Sequence, residues 1–205
     1  MITAMVHGIV LAFGLILPLG AQNVFVFNQG ASHSLFKRSI PVILTASLCD
    51  TFLILLAVLG VSVIVLSIPF FHTFLLAIGV IFLLYIGWTV WSTKPSDQTG
   101  SWEGVSAKKQ IVFALSVSLL NPHAILDTIG VIGTSSLTYS GLDKVVFTLA
   151  CIIVSWVWFF GLAVAGRIVG QLDTAGKVQV RINKLSAIII WAVAIYLVLE
   201  LIKLN

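Results

Sequence analysis

The segment GLILPLGAQNVFVFNQG, residues 14–30, decides the fold. It is apolar enough to lie in hydrocarbon, yet its centre, Pro18-Leu19-Gly20-Ala21-Gln22-Asn23, makes a poor continuous helix. Proline removes a backbone donor and glycine relaxes the chain, so amides and carbonyls are freed at membrane depth, where protein, water or solute must satisfy them. Gln22 and Asn23 add two amide side chains at the same level, which are costly in lipid unless they face a bundle interior. A lone proline would read as a kinked packing helix. With glycine and two amides beside it, an interrupted helix carrying a solute site is the better reading.

The rest of the chain agrees with a membrane setting. Of 205 residues 60% are hydrophobic and 9% charged, with a mean hydropathy of +1.15, against roughly 25% charged residues in an ordinary soluble domain. No charged side chain occurs from Met1 to Phe36, and Asp50 is the only one between Ser39 and Thr93. Six apolar segments follow, 2–27, 39–66, 70–92, 111–138, 144–166 and 184–203, each near the ~20 residues that a crossing needs. The expected fold is therefore all-α, a polytopic membrane protein of about six transmembrane helices forming one transporter domain over 1–205. The first segment lacks a cationic leader and a small-residue cleavage site, so it is expected to stay as a helix.

The polar stretch 94–110 is the only linker-like one. It divides the chain into halves of three helices each, 1–93 and 111–205. Nine of the eleven lysines and arginines fall in loops one, three and five, and only Lys144 and Lys203 on the other side. The linker is thus expected in the cytoplasm, with both termini outside. An odd number of helices per half makes any likeness between halves a 3+3 inverted repeat, an architecture of secondary transporters. Pro18 and Pro122, and Asn23 and Asp127, are both separated by 104 positions, which predicts broken helices in segments one and four, with Pro18, Gly20 and Pro122 at the breaks.

Segment four carries Asn121-Pro122-His123-Ala124-Ile125-Leu126-Asp127-Thr128. On a helix His123 and Asp127, four apart, share a face. Ionisable groups inside a membrane usually mark a solute path or a proton relay; a buried pair that only ties helices together is the competing reading. Asp50 lies about twelve residues into segment two, roughly 18 Å along a helix and near the midplane. No lysine or arginine sits in the middle of any segment to neutralise these acids. Each then has two stable outcomes, protonation or pairing with a cation brought from outside, and alternation between them is proton-coupled movement of a cationic solute.

Other chemistries find little support. The basic net charge of +4 is juxtamembrane rather than a nucleic-acid patch. Cys49 and Cys151 lie within apolar segments and are not in a CxxC spacing, so they read as small buried hydrophobes. No GxGD surrounds Asp50 (LCDTF) or Asp127 (ILDTI), and no GxSG occurs, which argues against an intramembrane protease; no selectivity-filter repeat argues for a channel. The tryptophans read as interface anchors or packing residues, and Gly166-Arg167-Ile168-Val169-Gly170 as a weak GxxxG match. No metal and no cofactor are expected.

The motifs LGAQN (Leu19–Asn23) and LNPHAILDT (Leu120–Thr128), with Cys49-Asp50 in segment two, resemble the LysE family of amino-acid exporters, in its lysine/arginine exporter branch (LysE/ArgO). The likeness covers the whole chain. Relatives that export neutral amino acids such as threonine and homoserine typically carry a PGP-like motif in the first segment and lack the Asn-Pro-His…Asp-Thr pattern. The resemblance implies a non-enzymatic exporter of L-lysine or L-arginine in a bacterial cytoplasmic membrane, coupled to protons, with a homodimer as a further implication. Gln22, Asn23, Asp50, Asn121 and Asp127 would then bind the solute, and Asp50, His123 and Asp127 carry protons. An exporter of neutral amino acids is the alternative.

Overall fold

The computed structural model describes residues 1–17, 20–32, 35–60, 69–92, 107–119, 125, 128–172 and 177–203. Among them there is no strand. The helices are α1 (Ile2–Ile16), α2 (Ala21–Ser32), α3 (Ile40–Val58), α4 (Pro69–Ser92), α5 (Ala107–Leu119), the single turn α6 (Gly133–Ser136), α7 (Gly141–Leu172) and α8 (Lys177–Lys203). A 3-10 turn, Phe36–Ser39, leads into α3, and a π-helical turn, Thr128–Ile132, leads into α6.

The first apolar segment is two helices rather than one. α1 and α2 meet at an angle of 81° across residues 17–20, as the proline and glycine of that stretch dictate. Pro18 itself lies outside the described residues; Gly20 supplies the carbonyl that accepts the first α2 bond, from Val24 N at 3.1 Å. α3 ends earlier than its apolar run does. Gly60 at φ +93° turns the chain there, a conformation open to glycine and strained for other residues.

Three helical stretches are long and apolar enough to cross a bilayer, Phe36–Val58, Gly141–Leu172 and Val180–Leu199, and the bent α1–α2 pair makes a fourth where its two helices count as one broken span. Six were expected. α4 contributes a shorter apolar stretch, Ala77–Ser92, and α5 has 13 residues, or about 20 Å, short of a hydrocarbon layer of about 30 Å. The run 111–138 is accordingly not one described helix but α5, then the π-helical turn and α6. The chain is an all-helical, multi-pass membrane protein.

Small residues let the helices approach closely. Ala4, Gly8 and Ala12 of α1 lie buried, and Ala4 and Ala12 pack with Phe147, Cys151 and Val154 of α7. α2 crosses the far end of α7 backbone to backbone: a Cβ added at Gly30 would strike the Ala163 carbonyl, and at Gly166 or Gly170 the carbonyls of Phe27 or Ala31. The GxxxG match read as weak is thus half of a close helix crossing. α8 packs on α4 through Ile190, Ala194 and Leu197 against Val80, Leu83 and Ile86. Outside, Leu44, Leu48, Phe52, Leu55 and Leu59 form an exposed stripe along α3, at the spacing of a lipid-facing surface.

The two ends of the helical bundle differ in the side chains they gather. Met1 N and Asp143 Oδ1 pair at 2.6 Å and His7 Nδ1 meets the Tyr139 hydroxyl at 2.8 Å, so the N-terminus and the start of α7 share one end. At the other end Asn28 meets Asn183, Ser39 beside Lys37 and Arg38 donates to the Gln29 carbonyl, and Lys184 stands 5.5 Å from the Trp91 ring.

Candidate functional site

α2 begins inside the protein, not at its surface. Its first-turn N–H groups, those of Ala21 and Gln22, have no acceptor within the helical ladder, and the helix dipole adds partial positive charge there. Gly20, Ala21, Gln22 and Asn23 line a cavity of about 180 Å³ together with Asp50 and Ser155. The remaining wall is largely apolar and includes Ile54, Leu83, Phe159, Ile190 and Val193. Asp50 lies ten residues beyond the start of α3, about 15 Å along it, which puts its carboxylate deep between helices.

That carboxylate is held from two sides. Gln22 Nε2 donates to Oδ1 at 3.1 Å, and the Ser155 hydroxyl of α7 donates to Oδ2 at 3.0 Å. Among the described residues no lysine or arginine pairs with it, and none lines the cavity. Each oxygen keeps accepting capacity beyond its one bond. A cation entering the cavity therefore meets an oriented acid in surroundings of low polarity, where the attraction is much stronger than in water.

Asn23, at 5% exposure, does a different job from its neighbour. Its Nδ2 donates to the Ile16 carbonyl at 2.7 Å, and its Oδ1 accepts from Trp158 Nε1 at 3.2 Å. The side chain thus satisfies a backbone carbonyl near the end of α1 and ties the break to α7. Phe13 stacks edge-on against the same indole, with ring centroids 6.3 Å apart.

The structure brings Gly20, Gln22, Asn23 and Asp50 to one cavity. Asn121, Pro122, His123 and Asp127 lie outside the described residues. Thr128 and Ile132, which follow them in the sequence, line the same cavity. Ser155 and Trp158 were missed. Ser155 is one of many serines in apolar runs, and Trp158 reads equally well as packing; only the fold shows which donors face the site. Cys49 and Cys151 are buried free thiols, as their apolar setting implies.

Comparison with known proteins now bears on this geometry. Residues 13–201 match the family described as LysE type translocator. The chain is 57% identical over 193 residues to "Putative amino-acid transporter YisU" of Bacillus subtilis, covering 94% of this chain and 88% of that protein. It is 34% identical over 211 residues to the arginine exporter protein ArgO of Salmonella paratyphi B, covering 98% and 95%. To ArgO of Shigella flexneri it is 33% identical over 202 residues, covering 93% and 91%. No solved structure matches. A family match over nearly the whole length, supported by relatives of similar size, establishes that the chain belongs to the LysE family and is an amino-acid transporter.

Proposed function

We propose that this protein exports basic L-amino acids, L-arginine or L-lysine, from the cytoplasm across the bacterial cytoplasmic membrane in exchange for protons. The observation that carries the reading is the Asp50 carboxylate, oriented by Gln22 and Ser155 in a cavity whose lining, among the described residues, has no cation and is otherwise mostly apolar. An acid so held is a partner for the side-chain cation. The N-terminal turn of α2 is suited to the α-carboxylate, and the apolar wall to the aliphatic stem. The arginine exporters among the relatives favour the same substrate class.

Energetics call for coupling. Moving a +1 solute outward against an inside-negative potential costs about 2.3 kcal/mol per 100 mV, so uncoupled export would stall. In this proposal Asp50, Asp127 and His123 exchange protons for solute, and Asn121 joins the solute site from the second break. The six-span, 3+3 inverted arrangement belongs to the same proposal, with the segment 111–138 as the broken counterpart of the first segment.

The test is efflux of labelled arginine and lysine from proteoliposomes under an imposed pH gradient. Saturable efflux that collapses when the gradient is dissipated is expected. Competition by unlabelled threonine or homoserine, with none by lysine or arginine, would instead select the neutral amino-acid alternative.

A further inference from the structure

A second polar cluster lies away from Asp50, on two of the helices that wall the cavity, α2 and α8. Asn28 Nδ2 of α2 donates to Asn183 Oδ1 of α8 at 2.9 Å. Two facing amides can close a pair of such bonds, yet only one is made here: Asn28 Oδ1 and Asn183 Nδ2 are buried with no protein partner, as is Ser186 Oγ. Asn183 is 2% exposed and Ser186 is fully buried. Ser186 is three residues from Asn183 and so on the same face of α8. Leaving such atoms unpaired costs free energy, which asks for an explanation.

Position supplies one. Asn28 lies six residues beyond Gln22, about 9 Å along α2, and Asn183 seven residues before Ile190, about 10 Å along α8; Gln22 and Ile190 both line the cavity. The cluster therefore sits about 9 to 10 Å beyond the cavity lining, at the end of the molecule that holds Lys37, Arg38, Arg181 and Lys184. It also bridges two sets of helices. α2 is bound to α7 by its glycine crossing, whereas α8 is packed on α4.

We propose that Asn28, Asn183 and Ser186 form a second, cytoplasm-facing station for the amino-acid headgroup of the solute, and that the Asn28–Asn183 bond closes it. When α8 parts from α2, Asn28 Oδ1 accepts from the α-ammonium, and Asn183 Nδ2 and the Ser186 hydroxyl donate to the α-carboxylate. The orphaned atoms are then the unoccupied contacts of the closed form. This inference rests on the transport reading but not on which amino acid is carried.

Two measurements on the full-length reconstituted protein test it, each with whichever amino acid the parent carries. In the first, Asn28→Cys and Asn183→Cys are combined and bridged with a short bifunctional thiosulfonate; an identically treated parent controls for the buried native cysteines. Bridging should remove at least about nine-tenths of the flux, and reductant should restore it. In the second, Asn183→Leu should weaken solute affinity about ten-fold at the cytoplasmic face and leave the opposite face unchanged. Parent-like flux after bridging, or an equal change of affinity at both faces, would overturn the proposal and leave a simple helix tie. If the double variant does not bridge or carry solute, the sidedness measurement decides alone. Flux of neutral amino acids only would sink the basic-substrate reading without touching the station.

Discussion

Asp50→Asn separates a solute partner from a structural tie. The substitution keeps the shape of the side chain and removes its charge. Gln22 Nε2 can go on donating to the remaining oxygen, and the Ser155 hydroxyl can rotate to accept from the new amide, so both contacts now at 3.1 and 3.0 Å survive. If Asp50 only joins α2, α3 and α7, the variant should melt and transport like the parent. If it receives the side-chain cation, a hydrogen bond to a charged group is lost, worth about 1.5–3 kcal/mol. That corresponds to about 10- to 150-fold weaker binding of arginine or lysine. Proton-driven efflux should fall with it, while the yield of inserted protein and its detergent melting temperature stay close to those of the parent. Binding measured by isothermal titration, alongside proteoliposome efflux, gives both readings. Unimpaired affinity and efflux in Asp50→Asn would refute the reasoning.

Ser155→Ala removes one of the two donors that orient Asp50 and should raise the half-saturating solute concentration by about ten-fold, with Ser155→Thr restoring much of it, as efflux kinetics would show. Asn23→Leu strips the Ile16 carbonyl and the Trp158 N–H of their partner at a cost of about 1–3 kcal/mol each, so a clear fall in detergent melting temperature is expected, and an unchanged one would argue against the clamp. Gly166→Leu drives a side chain into the Phe27 backbone and should sharply lower the yield of folded protein, whereas Gly161→Leu, with open space beside it, should be tolerated; size-exclusion profiles of the two compare them directly.

Much of the site was legible because membrane burial makes polar groups conspicuous. Asp50 stands alone in a charge-free run, and Gln22 and Asn23 stand beside a proline and a glycine; each costs free energy in hydrocarbon, so each invites a functional reading. The division of labour between the two amides was not legible. Gln22 reaches Asp50, and Asn23 turns back to the Ile16 carbonyl, because adjacent residues on a helix point about 100° apart, and only the 81° bend fixes what each meets. Apolar runs also overstate helix length. The run 39–66 reads as one span, yet the helix stops at Val58 because Gly60 turns the chain, and hydropathy does not register backbone conformation. The GxxxG match looked weak because Arg167 sits inside it; the partner surface, Phe27, Gly30 and Ala31, lies more than 130 residues away in sequence and cannot be paired with it by pattern alone.

The clamp made by Asn23 bears on how the proposed export cycle would reset. A carrier that achieves net efflux must bring its site back to the cytoplasm without amino acid aboard. Were the freed carbonyl of Ile16 to depend on solute for its hydrogen bond, that empty passage would strand a polar backbone group in hydrocarbon, at several kcal/mol, and the protein would be biased toward swapping one amino acid for another. With the carbonyl satisfied from within, the vacant form keeps its kink at no such expense, and one-way release becomes the easier cycle.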